Sequence, residues 1–549
     1  MEYMKEQPKR SKIYYILPII FAIIFILGII FGIRLTQSTS ITTGSANPII
    51  ILGGGKFSKL NDVLMYIQKS YVDSVSIDQL TEDAISSLLE KLDPHSVYIS
   101  AKEFNEANDP LIGSFEGIGV EFRIQKDTIT VVNVISGGPS DSVGIKAGDR
   151  IVNIDGKKVA GIEISNTDVL KKLKGKKGTK VNVSVFRRGV DKLIEYAIIR
   201  DVIPTFSLDF SYMISPEIGY IKLSKFSATT FDEFDIALKK LKSKGLKKLI
   251  LDLRDNGGGY LQAAIDIADE FLEDEKLIVY TEGVNKAKST SYATRKGNFE
   301  KGSLIILVNE FSASASEIVA GSVQDNDRGI IVGRRSFGKG LVQEQVKLND
   351  GSAIRLTIAR YYTPTGRCIQ RSYAEGIEEY YTQFYEQILD DTTQNPDNHL
   401  LSDTNKYITP KGKIVYGGGG IMPDVYIPFS KNEKNKYFNT LYNKGLIFQY
   451  AFDYADKNRQ TIKTNYKNAN GFVEKFIVND AILKDFINYS EKNGVKKELQ
   501  NLAAASFMIK NQLKAFIGRN IFDDEAYYPI VLKSDSTLIK STRVLDTLN

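Results

Sequence analysis

The sequence predicts a multidomain protein of mixed α/β and all-β parts behind one N-terminal transmembrane helix. Three observations predict it: a run of 21 uncharged residues near the start, short alternating strands between about Gly113 and Arg200, and three strand-plus-turn units after Asp201. At 549 residues the chain is too long for one hydrophobic core. Its content of 42% apolar and 25% charged residues is that of folded protein rather than disordered chain.

The run "IYYILPIIFAIIFILGIIFGI", Ile13 to Ile33, is long enough to cross a bilayer as a helix. Lys5, Lys9, Arg10 and Lys12 precede it against Glu2 and Glu6, which places the amino end in the cytoplasm and the rest on the far side. A cleavable signal peptide is the competing reading, but the run is long for one and no clear A-x-A site follows. Residues 1–36 are therefore read as cytoplasmic tail and anchor in the cell inner membrane. Residues 37–56, rich in Ser, Thr and Gly, are a linker, and "GGGK" (Gly53 to Lys56) lacks the spacing of a phosphate loop. From 57 to about 110 apolar positions recur at helical spacing, as in "LTEDAISSLLEKL", before the turn "DPHS". This is a small helical module.

Between 111 and 200, "GIGVEFRI", "TITVVNVI", "DRIVNIDGKKV" and "KVNVSVFRRG" alternate as strands, and "NTDVLKKLKG" interrupts them as a helix. With "GGPSDSVGIKAGDRIVNIDG" in the middle, the order resembles a PDZ domain; a small barrel with a tight turn is the plainer alternative. The resemblance implies that the loop Gly117, Ile118, Gly119 and Val120 offers backbone N–H groups to a peptide's terminal carboxylate. Residues 201–430 are mixed α/β. "KKLILDLRDNGGGYLQAAIDIADEFL", "SLIILVNEFSASASEIVAGSVQD" and "GIIVGRRSFGKGLVQEQVKL" each run from strand into turn, and such turns can meet at one sheet edge. "VYGGGGIMPDVYIP" closes this part. Residues 431–549 read as a helical extension of no legible role.

Composition removes several chemistries. The net charge of +6 (72 basic, 66 acidic residues) is small for the length and forms no long basic block, so nucleic acid is not a partner. One cysteine, Cys368, excludes an intrachain disulfide and multi-cysteine metal sites, and His95 and His399, the only histidines, fit no metal motif. No cofactor or metal is expected.

"SASASE" sets Ser312, Ser314 and Ser316 where a strand gives way to a helix. A serine nucleophile needs a base, and histidine is scarce. A lysine kept neutral by burial is the alternative, and Lys339 in "SFGKGLV" sits between glycines and apolar neighbours. Taken alone, "GKG" is common in turns.

"SASASE", "FGKG" with a glutamine four beyond the lysine, "RDNGGG", "LDPHS" and "GGIMPD" together resemble the C-terminal processing peptidases, serine proteases with a PDZ domain and a crotonase/Clp-like core. The resemblance spans roughly Phe57 to Pro428. It implies a Ser–Lys dyad with the lysine 25 positions after the serine; 339 − 314 = 25, which selects Ser314 with Lys339. Gln343 then matches the glutamine that orients the lysine, Ala315 supplies one oxyanion N–H, and Gly258 or Gly259 supplies the second. The nearby Glu317 and Asp252 are read as a helix first-turn acid and a strand-end turn residue, and His95 as a turn residue. The resemblance also implies protein substrates with exposed apolar C-termini, cut by an endopeptidase. A second copy or an activating adaptor remains open as a partner. A silent PDZ adaptor and an acyl-CoA enzyme of the crotonase type are the rival readings; the first predicts a missing dyad residue, and neither Ser314 nor Lys339 is missing.

Overall fold

Alternation along two strands sets the architecture of the largest layer. In Lys248–Asp252, Leu249 and Leu251 face one side of the sheet and Ile250 the other; in Ser303–Val308, Leu304 and Ile306 oppose Ile305 and Leu307. Strands apolar on both faces must be covered on both. The computed structural model, which describes residues 58–294, 296–389, 406–429 and 435–547, shows how. The strands Leu208–Met213, Ile218–Leu223, Lys248–Asp252, Ser303–Val308, Ile330–Gly333 and Val425–Tyr426 form one sheet in that order. All neighbours are parallel except the first pair. One face carries helices Thr230–Lys242, Leu261–Asp269 and Ala315–Asp325. The other is covered from the far end of the chain, by Leu532, Leu538 and Leu545 of helices Asp524–Leu532 and Ser536–Thr547.

A second, antiparallel sheet joins Ala353–Tyr362 to Val97–Ile99, Leu277–Gly283 and Leu341–Lys347. The strands flanking the lysine turn thus belong to different sheets: Ile330–Gly333 to the parallel one and Leu341–Lys347 to the antiparallel one. Lys339 lies where the chain crosses between them.

Residues 120–199 form a separate antiparallel sheet, Val120–Gln125, Thr128–Val134, Arg150–Ile154, Lys180–Phe186 and Ile194–Ile199 in that order, with helices Pro139–Val143 and Asn166–Leu173. Val120–Gln125 is an edge strand. The chain enters and leaves this domain through paired strands, Ser114–Gly117 with Asp201–Pro204. Gly117 ends the entry strand, Ile118 is buried, Gly119 has φ +76° and Val120 opens the edge strand.

Helices Lys436–Asn443, Leu446–Asn465, Ala469–Lys475, Asp480–Lys492 and Leu499–Phe522 build a core of their own around Ile447, Phe452, Phe472 and Phe486. This extension grips the PDZ-like sheet: Arg123 lies 3.8 Å over the Phe448 ring, and Asp456 pairs with Arg150 at 3.4 Å. It grips the large sheet as well, through Arg254 with Asp535 at 2.7 Å and Phe210 stacked on Tyr528.

The chain divides into two compact units after Leu88; the first contains helix Ser58–Ser70 and most of Ile77–Glu90. The Ile13–Ile33 run and the 37–56 linker lie outside the described residues. No helix among the described residues is long and apolar enough to cross a membrane.

Candidate active site

Three adjacent parallel strands, Lys248–Asp252, Ser303–Val308 and Ile330–Gly333, all run into the expected turns at their C-terminal ends: the glycine turn, the serine turn and the lysine turn. Crevices at these ends are where open α/β sheets bind ligands. One cavity of about 660 Å³ is lined there by Gly257, Gly258, Gly259, Ser314, Ala315, Lys339 and Gln343, among others.

The structure separates the three serines. Ser312 Oγ donates to the Leu253 carbonyl at 2.8 Å, and Ser316 Oγ to the Asn256 carbonyl at 2.8 Å; both residues are fully buried. They tie the serine turn to the glycine turn. Ser314 is half-exposed, and its hydroxyl donates to no acceptor among the described residues. Its backbone sits at φ +55°, ψ −112°, sparsely populated for a residue with a side chain. Four groups hold it there. Glu317 Oε2 accepts the Ser314 N–H at 2.8 Å, the Tyr361 hydroxyl donates to the Ser314 carbonyl at 3.2 Å, and the Glu317 and Ile318 N–H groups bond to that carbonyl as the helix begins.

The glycine turn is pressed against it. At Gly258 (φ +96°) a Cβ would lie 2.7 Å from the Ala313 carbonyl oxygen and 2.8 Å from Ser314 Cβ, while at Gly259 (φ +148°) it would collide with the Phe226 carbonyl. Side chains are excluded, and backbone faces the cavity. Asn256, fully buried, shapes this turn: its Oδ1 accepts the Gly258 N–H at 2.9 Å and its Nδ2 donates to the Leu223 carbonyl at 3.0 Å. Gly258 N–H is therefore engaged. The N–H groups of Gly259 and Ala315 carry no hydrogen bond among the described residues, and both residues line the cavity.

Lys339 is held by its backbone and aimed by its tip. The main-chain N–H bonds to Glu317 Oε2 at 2.9 Å, and Nζ donates to Gln343 Oε1 at 2.9 Å. Gln343 follows a bulge in its strand, and its Nε2 donates to the His95 carbonyl. A carbonyl can only accept, so that contact fixes which end of the amide faces the lysine. Burial pushes the Lys339 ammonium below its ordinary value, and the like charge of Arg355 adds to the effect; the charges of Asp93 and Glu317 oppose it. No carboxylate lies within ion-pair distance of Lys339 among the described residues. No hydrogen bond joins Nζ to Ser314 Oγ among the described residues; both residues line the same cavity.

His95 serves through its backbone. Asp93 Oδ1 accepts both the His95 and Ser96 N–H groups at 2.8 Å and fixes the turn whose carbonyl receives Gln343. Burial, and secondarily the Lys339 charge, lower the imidazole to about 4. Among the described residues no group of His, Cys, Asp and Glu could hold a metal ion.

Glu317 has a wider part than its place in the helix first turn suggests. Wholly buried, it accepts from Ser314 N–H, Ser336 Oγ, Gly338 N–H and Lys339 N–H. One carboxylate thus fastens the serine turn to the lysine turn. Its spacing, S-x-x-E from Ser314, is a capping-box signal that the sequence did carry. Asn before a glycine run is likewise a turn signal. No local pattern announces Tyr361 or the His95 carbonyl.

Family models match residues 217–381 as peptidase family S41, 117–198 as a PDZ domain and 35–103 as the N-terminal domain of the activating protease CtpB; 437–523 match a family of unknown function. The chain is 36% identical over 354 residues to the carboxy-terminal-processing protease of Bartonella bacilliformis, covering 63% of this chain and 80% of that one. The chain belongs to the carboxy-terminal processing proteases. It is also 35% identical over 320 residues to carboxy-terminal processing protease CtpA of Bacillus subtilis (58% of this chain, 68% of that one). A probable CtpA-like serine protease of Staphylococcus aureus is 30% identical over 436 residues (78% and 84%). This protease is a serine-type peptidase with a PDZ domain between the paired entry and exit strands.

Proposed function

We propose that this protease is a membrane-anchored endopeptidase that captures the apolar C-terminal tails of exported proteins at its PDZ loop, Gly117 to Val120, and cuts them with Ser314 and Lys339. The observation that supports the dyad is that Ser314, alone of the three serines in its turn, has a hydroxyl that donates to no acceptor and shares a cavity with a desolvated lysine. Neutral Lys339 Nζ takes the Ser314 Oγ proton as Oγ attacks the scissile carbonyl carbon. Ala315 and Gly259 N–H groups receive the negative charge on the carbonyl oxygen. The C–N bond then breaks, the lysine ammonium protonates the departing amine, and an acyl ester remains on Ser314. Water, deprotonated by Lys339, attacks that ester, releasing the new carboxylate and restoring the serine.

Gln343 suits this cycle because it orients Nζ without contributing a negative charge that would keep the lysine protonated. The PDZ reading is supported by the open edge of Val120–Gln125, along which an extended peptide can add as a strand. The uncharged run Ile13–Ile33 and the lysines before it support an inner-membrane anchor with the peptidase outside the cytoplasm. The test incubates the full chain, Ser314→Ala and Lys339→Ala with a protein bearing an apolar tail and follows products by mass. Cutting by the parent alone is the expected result. Cutting by Lys339→Ala at the parent rate would remove lysine as the base.

A further inference from the structure

The cavity that contains Ser314 and Lys339 is also lined by a cation that no ion pair engages: Arg355. It is the third residue of Ala353–Tyr362, with Val97 opposite on one side and Gln345 on the other, so its strand position is fixed from both edges. One nitrogen, Nη2, donates to Gln345 Oε1 at 2.9 Å and makes a long contact of 3.5 Å with Asn108 Oδ1. Both partners are neutral amides that line the same cavity. No carboxylate lies within 4 Å of the guanidinium among the described residues. Nε and Nη1 have no acceptor, and neither is sealed from the cavity solvent.

Three other arginines that reach into the fold are partnered differently. Arg254, Arg334 and Arg367 each meet a carboxylate, at 2.6, 2.8 and 2.7 Å respectively. A half-buried guanidinium beside Lys339 works against folding and against charging of that lysine, so an arginine left with free donors in a substrate cleft calls for a complementary group from outside. A guanidinium fork with unused N–H groups matches a carboxylate in geometry as well as charge.

We propose that Arg355, steadied by Gln345 and Asn108, binds a carboxylate of the polypeptide being cut, making the enzyme selective for substrates with an anionic group near the scissile bond. The proposal rests on the placement of the cleavage chemistry at Ser314 and Lys339. Two sources share that ligand chemistry: an Asp or Glu side chain within the segment, and the free C-terminal carboxylate of a short tail threaded past the serine. Arg355 touches the substrate and not the reacting atoms; it is a specificity residue. Apolar Leu111, Ile318 and Val342 line the same cavity, so the anionic group supplements apolar contacts there.

The experiment uses full-length protein and a short apolar peptide series. Asp is placed at each position in turn, with Asn at the same place as the neutral isostere, each peptide being made with a free or an amidated C-terminus. Cleavage is measured with the parent, Arg355→Lys and Arg355→Gln, and affinity for the uncut peptides with the same residues in a Ser314→Ala background. With Arg355 present, one Asp position or the free terminus should raise kcat/KM and affinity about tenfold over its neutral isostere. That ratio should fall to about one in Arg355→Gln and be partly kept in Arg355→Lys. The amidated Asp peptides identify a side chain as the source, and the Asn peptides with free ends identify the terminus. Equal handling of charged and neutral peptides by the parent, or a tenfold ratio surviving in Arg355→Gln, would overturn the proposal. Absence of any cleavage by the parent would speak instead against the Ser314 and Lys339 chemistry, and the binding ratio would still decide on Arg355.

Discussion

Glu317 Oε2 accepts the backbone N–H of Ser314 at 2.8 Å and that of Lys339 at 2.9 Å, so a single buried oxygen spaces the two residues. The carboxylate's other oxygen takes Gly338 N–H and Ser336 Oγ, at 2.7 and 2.6 Å. Desolvation raises the Glu317 carboxyl above its usual range, and the four donors oppose that rise. Glu317 is a positioning residue: it touches neither substrate nor reacting atoms.

Glu317→Gln keeps the shape but turns an NH₂ group toward two donors. Leaving buried donors unmatched costs about 3 kcal/mol, and loosening the two turns should lower kcat by roughly a hundredfold. Thermal denaturation and steady-state kinetics check both. Undiminished kcat would show that the two turns keep their spacing without the carboxylate.

Gly259→Ala should lower kcat about 10²–10³-fold while leaving PDZ peptide binding in place. The added Cβ has no room beside the Phe226 carbonyl, so the turn must shift and carry the Gly259 N–H away. Loss of one oxyanion donor costs about 10²–10³ in kcat. Active-site titration and a tail-peptide binding assay separate the two effects.

The pH profile follows from the lysine. Its pKa is depressed in the fold, and with its neutral form as the proposed base kcat/KM should rise with pH through a value below the ordinary 10.5 for lysine. Gln343→Glu puts a negative charge on the atom that now accepts from Nζ, which stabilises the ammonium. Its acid limb should move to higher pH, with activity lost at neutral pH and partly regained on the alkaline side. An unmoved limb would take Lys339 out of the titration.

The C-terminal extension should act as a brace on the PDZ domain. Phe448 under Arg123, and Asp456 beside Arg150 and, at 3.8 Å, Arg188, join the extension to this domain. Phe448→Ala with Asp456→Ala should speed hydrogen exchange in 120–134 while leaving 303–325 unchanged. Equal exchange in both chains would mean that the paired entry and exit strands alone hold the domain.

The chemistry was more legible in the sequence than the support around it. The strand-turn units and the lysine between glycines were visible as local patterns, while the 25-residue spacing that selected Ser314 with Lys339 came from the family resemblance. Glu317 carried a local sign as well, but only as a helix start; that its carboxylate reaches Gly338 and Lys339 depends on two strands lying side by side. The choice between Gly258 and Gly259 was open in the sequence, and the placement of the Asn256 side chain leaves Gly259 with the free N–H.

By itself, then, the sequence determined the elements and their periodicity: apolar on both faces for Lys248–Asp252 and Ser303–Val308, alternating in the PDZ strands, helical after residue 435. Period and turn chemistry act over a few residues and are written locally. Tertiary structure alone decided what covers the second face of the large sheet, which carbonyl holds Gln343 and which arginine lines the cleft without a carboxylate partner. Those relations join residues as far apart as Ile250 with Leu545 and His95 with Gln343. They follow from packing and from the need of every buried donor for an acceptor, which no local pattern encodes.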